Sequence, residues 1–535
     1  MICGNREKTY GRQAIAIAVS GIPNKNLAIG GIFMLGKPKP VNSLAGWMVV
    51  GLVAVGLMIA ISTSLQSGRA EEQSKTARGS VIGNLQPFLD PAGFVATYNT
   101  NGNINTKGAF FQSLGTNGRS CATCHVASQA FSISASDVRL RYVASRGSDP
   151  LFASVDGANC ATVGSGDKEG HSLLLKSGLI RIPIAAPGTT GQFSVEAEHD
   201  PYGCAVDMST GQQILSFYRR PLPTTNLRFL SALMFDGRES VALPLNSSAT
   251  FDHNLQSNLM TQALHAVQIH GQSTTDPTPT QIADIVSFEK GLSTAQVWGY
   301  QAGSLSASGA QGGPEALAAQ PYVPGFNDSL TPSIFSPTIF TLFSSWEGQA
   351  NHESSQSQRA KIAAGEKLFN SLPINITDVR GLNDNAALGK PNTIVGTCGT
   401  CHDSPNVGDH SLPLPLDIGT GHSPDYERNQ QIKNALAQLS FPDLPVYKIS
   451  GCTDPFSGET TLYTTDLGKA MLTGQCSDLN RLKGPILRGL AARAPYFHNG
   501  AAANLTELVN FYNQRFNMGL TDAQKGDLVA FLNSL

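Results

Sequence analysis

Apolar residues recur at intervals of three and four in two segments, residues 281–292 and residues 524–535. This spacing places the apolar side chains on one face of a helix. The apolar positions are Ile282, Ile285 and Val286 in the first segment and Leu528, Phe531 and Leu532 in the second. Each segment follows a threonine with a glutamine three residues later, which is the capping-box pattern, at Thr278–Gln281 and Thr521–Gln524. Five of the twelve aligned residues are identical, so the pattern predicts two related helices, each closing one half of the chain.

The hydrophobic pattern between these helices is less regular. Short helices are predicted at residues 109–114 and 360–369, and residues 135–215 are predicted to be a long irregular insertion. Residues 302–330 are rich in Gly, Ala, Ser and Pro and have no periodicity, which predicts a linker or a surface crossover. With 54 glycines and 30 prolines in 535 residues, much of the chain is expected in loops.

An uncharged apolar stretch lies near the N-terminus, at residues 44–61. Eighteen helical residues nearly span the ~30 Å apolar core of a bilayer. Lysines precede this stretch and none follows it closely, which predicts a cytoplasmic N-terminus and an exported body. Two alternatives stay open: an uncleaved signal anchor, or a signal peptide cut near Ala70, with translation starting at Met1 or at Met34. The predicted location is the periplasm, with membrane contact only through residues 1–70.

The charge composition argues against one class of partner. Only 14% of the residues are charged, the formal net charge is -2, and there is no basic run, so nucleic-acid binding is not expected. Without residues 1–70 the body carries 30 Lys and Arg against 38 Asp and Glu, a net charge of -8. This charge is a mild bias towards basic partners.

Two copies of the pattern Cys-x-x-Cys-His stand 277 residues apart. Their members are Cys121, Cys124 and His125 in the first copy and Cys398, Cys401 and His402 in the second. This spacing is the attachment signal for haem c, because the two thiols reach the vinyl groups on one porphyrin edge and the histidine then lies beneath the ring and binds iron. The alternatives are a thioredoxin-like redox pair and a zinc site, but zinc needs a second close Cys or His pair, which neither copy has. Two covalently bound haem c groups are therefore predicted.

Five cysteines remain outside these motifs. Cys3 precedes the apolar stretch, on the predicted cytoplasmic side. In an oxidising compartment Cys160 with Cys204 and Cys452 with Cys476 would form one disulfide within each half. Free buried thiols are the alternative.

Each half thus contains a helix, a haem motif, long loops and a closing helix. The predicted fold class is all-α, with two cytochrome c-like haem domains related by internal duplication, with long irregular loops, after the N-terminal apolar segment. The predicted boundaries are residues 1–70 for the signal peptide or anchor, 80–300 for the first haem domain, 301–354 for the linker and 355–535 for the second haem domain.

Four longer runs carry a family resemblance. They are KGAFFQSLGTNGRSCATCH at 107–125, DGANC at 156–160, RRPLPTTNLRFLSALMFDGRE at 219–239 and LKGPILRGLAARAPYFHNGAAANL at 482–505. In combination they resemble the bacterial di-haem cytochrome c peroxidase/MauG superfamily over residues 85–535. The resemblance implies a two-domain periplasmic enzyme whose N-terminal haem binds hydrogen peroxide. The C-terminal haem would relay electrons from a small cytochrome c or cupredoxin, and an oligomer is compatible with the resemblance.

The resemblance also implies roles for single residues. His125 and His402 match the proximal iron ligands, and Gln262 matches the distal glutamine of the peroxidatic pocket. Where the family has a distal acid, this chain has Gln272. His270 is the nearest residue able to move a proton, so it is the predicted catalytic residue beside Gln262, because peroxide cleavage needs a base that becomes an acid. The alternative is an ordinary core or surface histidine.

The relay haem departs from the commonest family pattern. The family's second axial ligand is usually a methionine fourteen residues after the histidine that corresponds to His498. That position is Tyr512 here, and MauG also has tyrosine there. Tyr512 is therefore the predicted axial ligand, and Met518 is the alternative.

Three further positions depart from the family pattern. Phe235 replaces the tryptophan that the family often has between the haems. Pro221 stands in place of the calcium-binding asparagine, which argues against calcium, although Pro495 offers a carbonyl. Many family members rest with a loop histidine on the peroxidatic iron, sixteen residues after the first motif. That residue is Arg141 here and the next histidine is His171, so the His125 haem is predicted to rest without such a ligand.

The favoured function is a di-haem peroxidase that reduces hydrogen peroxide. Tyr512 favours a MauG-like oxidase of another substrate or protein, whereas Phe235 weakens that alternative because hole transfer to a partner prefers tryptophan. A two-haem electron-transfer cytochrome is the third hypothesis, and the Gln262/His270 pocket argues against it.

Overall fold

The computed structural model describes residues 81–164, 166–240, 248–322, 336, 338–349, 354–425 and 429–535. The predicted signal or anchor segment with its apolar residues 44–61, the start site Met34 and the cytoplasmic Cys3 lie outside these ranges. In the described ranges no helix is both long and apolar enough to span a membrane.

Helices are distributed over both halves of the described chain. The α-helices are α1 Ala135–Ser145, α2 Ser172–Ser177, α3 Ser248–Ile269, α4 Pro279–Gly291, α5 Pro314–Ala318, α6 Ser354–Ser371, α7 Gln430–Leu436, α8 Ala470–Thr473, α9 Leu505–Arg515 and α10 Asp522–Leu532. Both predicted closing helices are confirmed as α4 and α10, and both begin with the predicted capping box.

Strands occupy much of what was expected to be loop. They are β1 Val81–Ile82, β2 Phe88–Asp90, β3 Gly93–Asn99, β4 Ile104–Asn105, β5 Ile180–Ala185, β6 Ser194–His199, β7 Val206–Asp207, β8 Ile214–Arg219, β9 Leu292–Gly299, β10 Gly303–Ser304, β11 Ile374–Ile376, β12 Ile394–Gly396, β13 Val446–Ser450 and β14 Thr461–Thr464.

The predicted all-α class is therefore wrong. The described residues are mixed α/β, with 33% helix, 17% strand and five small sheets. Segments such as GFVATYN in β3 and LSTAQVWG in β9 contain β-branched and aromatic residues, which favour strands. Their partners lie about two hundred residues away, for example Thr97 opposite Thr294. Helical periodicity around the haem motifs carries no information on such distant pairing.

One sheet joins residues from both predicted haem domains. Strand β6, in the first half, pairs antiparallel with β13 in the second half, and β13 pairs with β14. Beneath this sheet a core cluster combines Phe217 from the first half with Tyr447 and Ile449 from the second. The predicted irregular insertion at residues 135–215 thus contains two helices and several strands, of which β6 connects the two halves.

The second motif is supported by a tight helix crossing. Helix α6 packs against α10, and a Cβ on Gly365 would lie 2.0 Å from the backbone oxygen of Asp527. Only glycine permits this approach. In the first half the predicted helix at residues 109–114 is instead a single 3₁₀ turn, Ala109–Phe111. A Cβ on Gly115 would lie 2.0 Å from the oxygen of Gly271, so this segment ends against the C-terminal end of α3.

The described part of the predicted linker packs into the body. Ala302 and Leu305 are fully buried and share a core cluster with Phe340 and Trp346. Helix α5 packs on β9. These contacts hold residues 302–322 against the sheet that contains β3 and β9.

Candidate functional site: two cavities at the Cys-x-x-Cys-His motifs

Both Cys-x-x-Cys-His motifs have the same local structure. Each forms a 3₁₀ turn, Cys121–Thr123 in the first half and Cys398–Thr400 in the second. The threonine side chain of each turn accepts the backbone N–H that precedes the turn, at 3.0 Å in both motifs. The backbone N–H of each histidine donates to the first cysteine carbonyl, also at 3.0 Å. The sequence therefore builds the same turn twice, with both thiols and the imidazole in a fixed relation.

Each motif lies in the wall of a large cavity. Cys121, Cys124 and His125 line a cavity of about 1480 Å³, which we call cavity 1. Cys398, Cys401 and His402 line cavity 2, of about 1720 Å³. Both are lined mainly by apolar side chains, as a porphyrin requires.

The four motif cysteines are free thiols, whereas the other four cysteines of the described chain form disulfides. Cys160–Cys204 and Cys452–Cys476 are thus confirmed. Burial raises the pKa of Cys398 and of Cys401 to about 12, so both are neutral thiols at neutral pH. Paired free thiols at a cavity wall fit covalent haem attachment.

Each of the two motif histidines has one ring nitrogen bonded to the backbone and the other available to a ligand. Nδ1 of His125 lies 3.1 Å from the carbonyl oxygen of Phe131, and Nδ1 of His402 lies 2.7 Å from that of Gly408. A carbonyl can only accept, so Nδ1 carries the hydrogen and Nε2 is left as the ligand atom. Burial lowers the pKa of His125 to about 4 and also lowers the pKa of His402. Both imidazoles are therefore neutral, which is the form that binds a metal.

The predicted distal residues Gln262 and His270 line cavity 1 together with His125. Gln262 and Ala266 lie one turn apart on α3, and the backbone N–H of His270 donates to the oxygen of Ala266 at 2.9 Å. The four-residue interval puts these three residues on one side of the helix. The structure thus brings the predicted ligand and both predicted distal residues to one cavity.

A buried aspartate that the sequence reasoning missed holds His270. Nδ1 of His270 lies 2.5 Å from Oδ2 of Asp156, and Oδ1 of the same carboxylate binds Arg119. Burial raises the pKa of Asp156, but the hydrogen bond from His270 and the charge of Arg119 outweigh it, so its pKa stays below the usual range. Asp156 is therefore a carboxylate. Nε2 of His270 is left as the nitrogen that can exchange a proton.

Sequence spacing could not have identified this arrangement, because 114 residues separate Asp156 from His270. Asp156 begins the run DGANC, which contributed to the family resemblance, but the resemblance assigned no function to this residue. Arg119 was likewise part of a matching run. Its guanidinium also donates to the carbonyls of Pro150 and Leu151, each at 2.7 Å.

The two residues considered for the position of the family's loop histidine, Arg141 and His171, form hydrogen bonds outside cavity 1. Arg141, at the position of the family's loop histidine, pairs with Asp149 at 2.6 Å. Both ring nitrogens of His171 lie within hydrogen-bond distance of carbonyl oxygens, those of Asp167 and Phe152. Neither Arg141 nor His171 is part of the cavity 1 lining.

Cavity 2 contains both predicted axial candidates. Tyr512 and Met518 line it together with His402, and so do two histidines without a predicted ligand role, His410 and His498. Burial raises the pKa of Tyr512 above the usual range, so its phenol keeps its proton unless a cation binds it. Burial lowers the pKa of His498 to about 4.

The two cavities share one wall. The residues common to both linings are Arg220, Pro221, Leu222, Pro223, Phe235 and Lys483. Phe235 is the position that the family comparison placed between the haems. Its carbonyl accepts the Lys483 N–H at 2.7 Å, and its ring lies 6.0 Å from that of His498.

The described residues contain no cluster of three His, Cys, Asp or Glu side chains that could hold a metal ion. At the predicted calcium position, the carbonyl of Pro221 already accepts the hydroxyl of Ser132 at 2.8 Å. Pro495 lies in the lining of cavity 2.

Comparison with known proteins agrees with the family resemblance. A cytochrome-c peroxidase IdrP2 of Denitromonas iodatirespirans is 31% identical over 150 residues, which is 26% of this chain and 36% of the relative. A cytochrome-c peroxidase IdrP1 of Pseudomonas sp. strain SCT is 26% identical over 157 residues, with the same two shares. The chain thus spans about a third of the length of the curated relatives that it matches. No protein-family model matches the chain. The predicted resemblance to cytochrome c peroxidases is confirmed.

Proposed function

We propose that the protein is an extracytoplasmic di-haem c peroxidase, which reduces hydrogen peroxide with electrons from a small cytochrome c or cupredoxin. The observation that carries the proposal is the Asp156–His270 pair in the cavity of His125. A protein that only carries electrons does not need a buried carboxylate that holds a histidine in position for proton transfer. The names of the relatives support the same class of reaction.

The residues of cavity 1 have separate tasks. When bound, haem would supply the iron at which peroxide is bound and reduced. His125 would hold that iron through Nε2. His270 accepts the proton of the incoming peroxide at Nε2 and returns it to the leaving oxygen, so that one side chain acts as base and then as acid. Asp156 accepts the hydrogen bond from Nδ1–H of His270 and stabilises the imidazolium formed in between, and the Gln262 amide is available to orient the peroxide.

Peroxide reduction consumes electrons and protons, and the rest of the molecule must deliver the electrons to cavity 1. Hydrogen peroxide, two electrons and two protons give two waters. A second haem held by His402, with Tyr512 or Met518 opposite, would accept electrons from the donor. Phe235 lies in the wall between the two cavities and provides packed atoms along that route.

The proposed resting state of the first site is open to peroxide. Arg141 is paired with Asp149, and the His171 ring is bonded to two carbonyls. Neither residue can close the iron without breaking these contacts. We therefore expect reaction with peroxide while both irons are still ferric.

The two disulfides support a location outside the cytoplasm. Disulfides persist in oxidising compartments such as the periplasm and are rare in the bacterial cytosol. The formation of both Cys160–Cys204 and Cys452–Cys476 fits the export predicted from residues 1–70.

One observation favours a second candidate function, a MauG-like oxidase of another substrate. Tyr512 lines cavity 2, and a phenolate is an attested haem ligand. The two functions differ in their reductant: a peroxidase turns over with a reduced donor protein, whereas the oxidase takes its electrons from the substrate that it modifies.

The test is the rate of reaction with peroxide in a matched pair of variants. His270→Ala should slow the pre-steady-state reaction by about 10²–10⁴-fold, because it removes the acid–base group. His265→Ala is the control, since His265 lies on the same helix, is half exposed and contacts Glu239 outside the cavity. Equal rates for parent and His270→Ala would overturn the proposed role. Steady-state turnover with reduced cytochrome c and with reduced cupredoxin then identifies the class of donor.

A further inference from the structure

The wall between the two cavities contains an arginine with an unusual set of partners. Arg220 is buried, and its guanidinium donates only to backbone carbonyls. Nη1 donates to Ser177 and Gly178, and Nη2 to Ile133 and Arg493. These four oxygens are neutral, so they satisfy hydrogen bonds without balancing the charge. Of the three guanidinium nitrogens of Arg220, only Nε donates to none of these four carbonyls.

Arg493 repeats this feature beside cavity 2. It is buried, its Nη2 donates to the carbonyls of Ile486 and Arg488, and its Nε has no hydrogen-bond partner among the described residues. Its positive charge also lowers the pKa of Arg220, next to the larger effect of burial. Two buried guanidinium groups therefore repel each other, and neither forms an ion pair with a described carboxylate.

Lys483 adds a third cation to the shared wall. It is 7% exposed, and its Nζ donates to the carbonyl of Gly484 at 3.3 Å. Its acidic neighbour is Asp409, itself fully buried. Two buried carboxylates that contact Arg219, the residue before Arg220, are already paired: Asp236 binds Arg219 and Arg238, and Asp466 binds Arg219.

Buried cations without counter-ions are costly, because removing a charge from water is repaid only by a close opposite charge. The neighbouring arginines Arg219 and Arg119 show the usual solution, since each is buried against an aspartate. Arg119 and Arg219 also line cavity 1, but Arg220 and Arg493 line the cavities without an aspartate partner among the described residues. The missing anion is therefore expected inside the cavities.

We propose that Arg220, Arg493 and Lys483 bind the propionate carboxylates of the haems, with Arg220 and Lys483 serving both cavities and Arg493 serving cavity 2. The inference rests on the proposed binding of haem at both motifs. Haem brings two carboxylates into each cavity and no other anionic group. The arginine fork matches a carboxylate in geometry as well as in charge. The propionates of both haems would then meet at one cationic wall.

The experiment compares the midpoint potentials of the two haems in Arg493→Gln and Lys483→Met with the parent. Loss of a cation favours the ferric state, which carries more positive charge, so the potentials should fall. For Arg493→Gln we expect at least a tenfold change in the reduction equilibrium of the His402 haem, about 59 mV for one electron, and a smaller change at the His125 haem. Lys483→Met should lower both potentials, and Lys483→Arg should restore them.

Two further measurements separate contact from a distant charge effect. Resonance Raman propionate bending modes should shift in Arg493→Gln and in Lys483→Met, because these modes report hydrogen bonds to the carboxylates. Arg488→Gln is the matched control: Arg488 is equally buried and stacks on Phe340, but it lines neither cavity. It should change neither the potentials nor the propionate modes.

The outcomes distinguish this inference from the proposed function. Purified parent protein without haem would overturn both. Parent and variants with two haems, unchanged potentials and unchanged propionate modes would overturn the propionate assignment alone. Should Arg493→Gln fail to fold, Lys483→Met decides, since the one hydrogen bond described for the Lys483 ammonium goes to the carbonyl of Gly484.

Discussion

Replacing Asp156 with asparagine removes one charge and keeps the shape of the side chain. In the native protein the carboxylate accepts from His270 through Oδ2 and from Arg119 through Oδ1. An asparagine can still accept one of these hydrogen bonds but cannot balance a charge. The change therefore tests whether His270 needs a carboxylate behind it or only a neighbour of the right size.

The contacts of Asp156 allow the effects of Asp156→Asn on the reaction rate and on stability to be estimated. Acid–base catalysis by a positioned side chain is worth about 10²–10⁴-fold, or about 3–5 kcal/mol of barrier. His270 itself remains, so Asp156→Asn should cost at least tenfold and no more than His270→Ala. Stability should also fall, by about 3 kcal/mol, because Arg119 is left buried without its partner. This loss of stability lies at the low end of the range for breaking a buried ion pair, because Arg119 still donates to backbone carbonyls.

The assay is stopped-flow reaction of the ferric protein with peroxide, combined with denaturant unfolding of the same samples. Asp454→Asn is the control, because Asp454 is a buried carboxylate paired with Arg380 at 2.9 Å and lines neither haem cavity. It should lose stability while keeping the parental rate. The double variant Asp156→Asn/His270→Ala should react no more slowly than His270→Ala alone, because the aspartate acts through the histidine.

Two results would refute this reasoning. If Asp156→Asn reacts at the parental rate while His270→Ala is slow, the carboxylate serves only Arg119. If the double variant is slower than His270→Ala by the full factor of the single Asp156 change, the two residues act independently and the pair is not a catalytic unit.

Three other predictions concern the haems and the surrounding protein. Cys398→Ala, made in a host competent in cytochrome maturation, should lose one covalently attached haem by mass and by pyridine haemochrome while keeping the other. Tyr512→Phe should remove a low-spin ferric signal if the phenolate binds the second iron, and an unchanged spectrum would assign that position to Met518 or another residue. Glu289 has a pKa raised to about 8 by burial, so its contribution to the unfolding free energy is full below the ordinary glutamate pKa and is lost as the pH rises through 8. Glu289→Gln should flatten the pH dependence of the unfolding free energy between about pH 4.5 and 8, and parallel curves for parent and variant would contradict that origin.

The features predicted correctly from the sequence are local ones. The capping boxes at Thr278 and Thr521 follow from three-residue spacing, and each is present where its helix begins. The haem motifs are equally local, and both form the same turn. Such patterns are specified by neighbouring residues, so they can be found without knowing the fold.

The features that were missed depend on distant contacts. Strand β6 of the insertion pairs with β13 of the other half. Asp156 reaches His270 only because the intervening chain returns to cavity 1. Helical periodicity carries no signal for either contact, which explains why the fold class was wrong and why the carboxylate behind His270 received no role.

The pairing of β6 with β13 also constrains the order of events during biogenesis. Val195 lies opposite Ile449, so most of the polypeptide must be made before β6 obtains its neighbour. Until then the strand has an unpaired edge, which is a site for aggregation. A gene truncated after the first half would thus yield a product with a permanently open edge, whereas the full-length chain closes that edge itself late in folding.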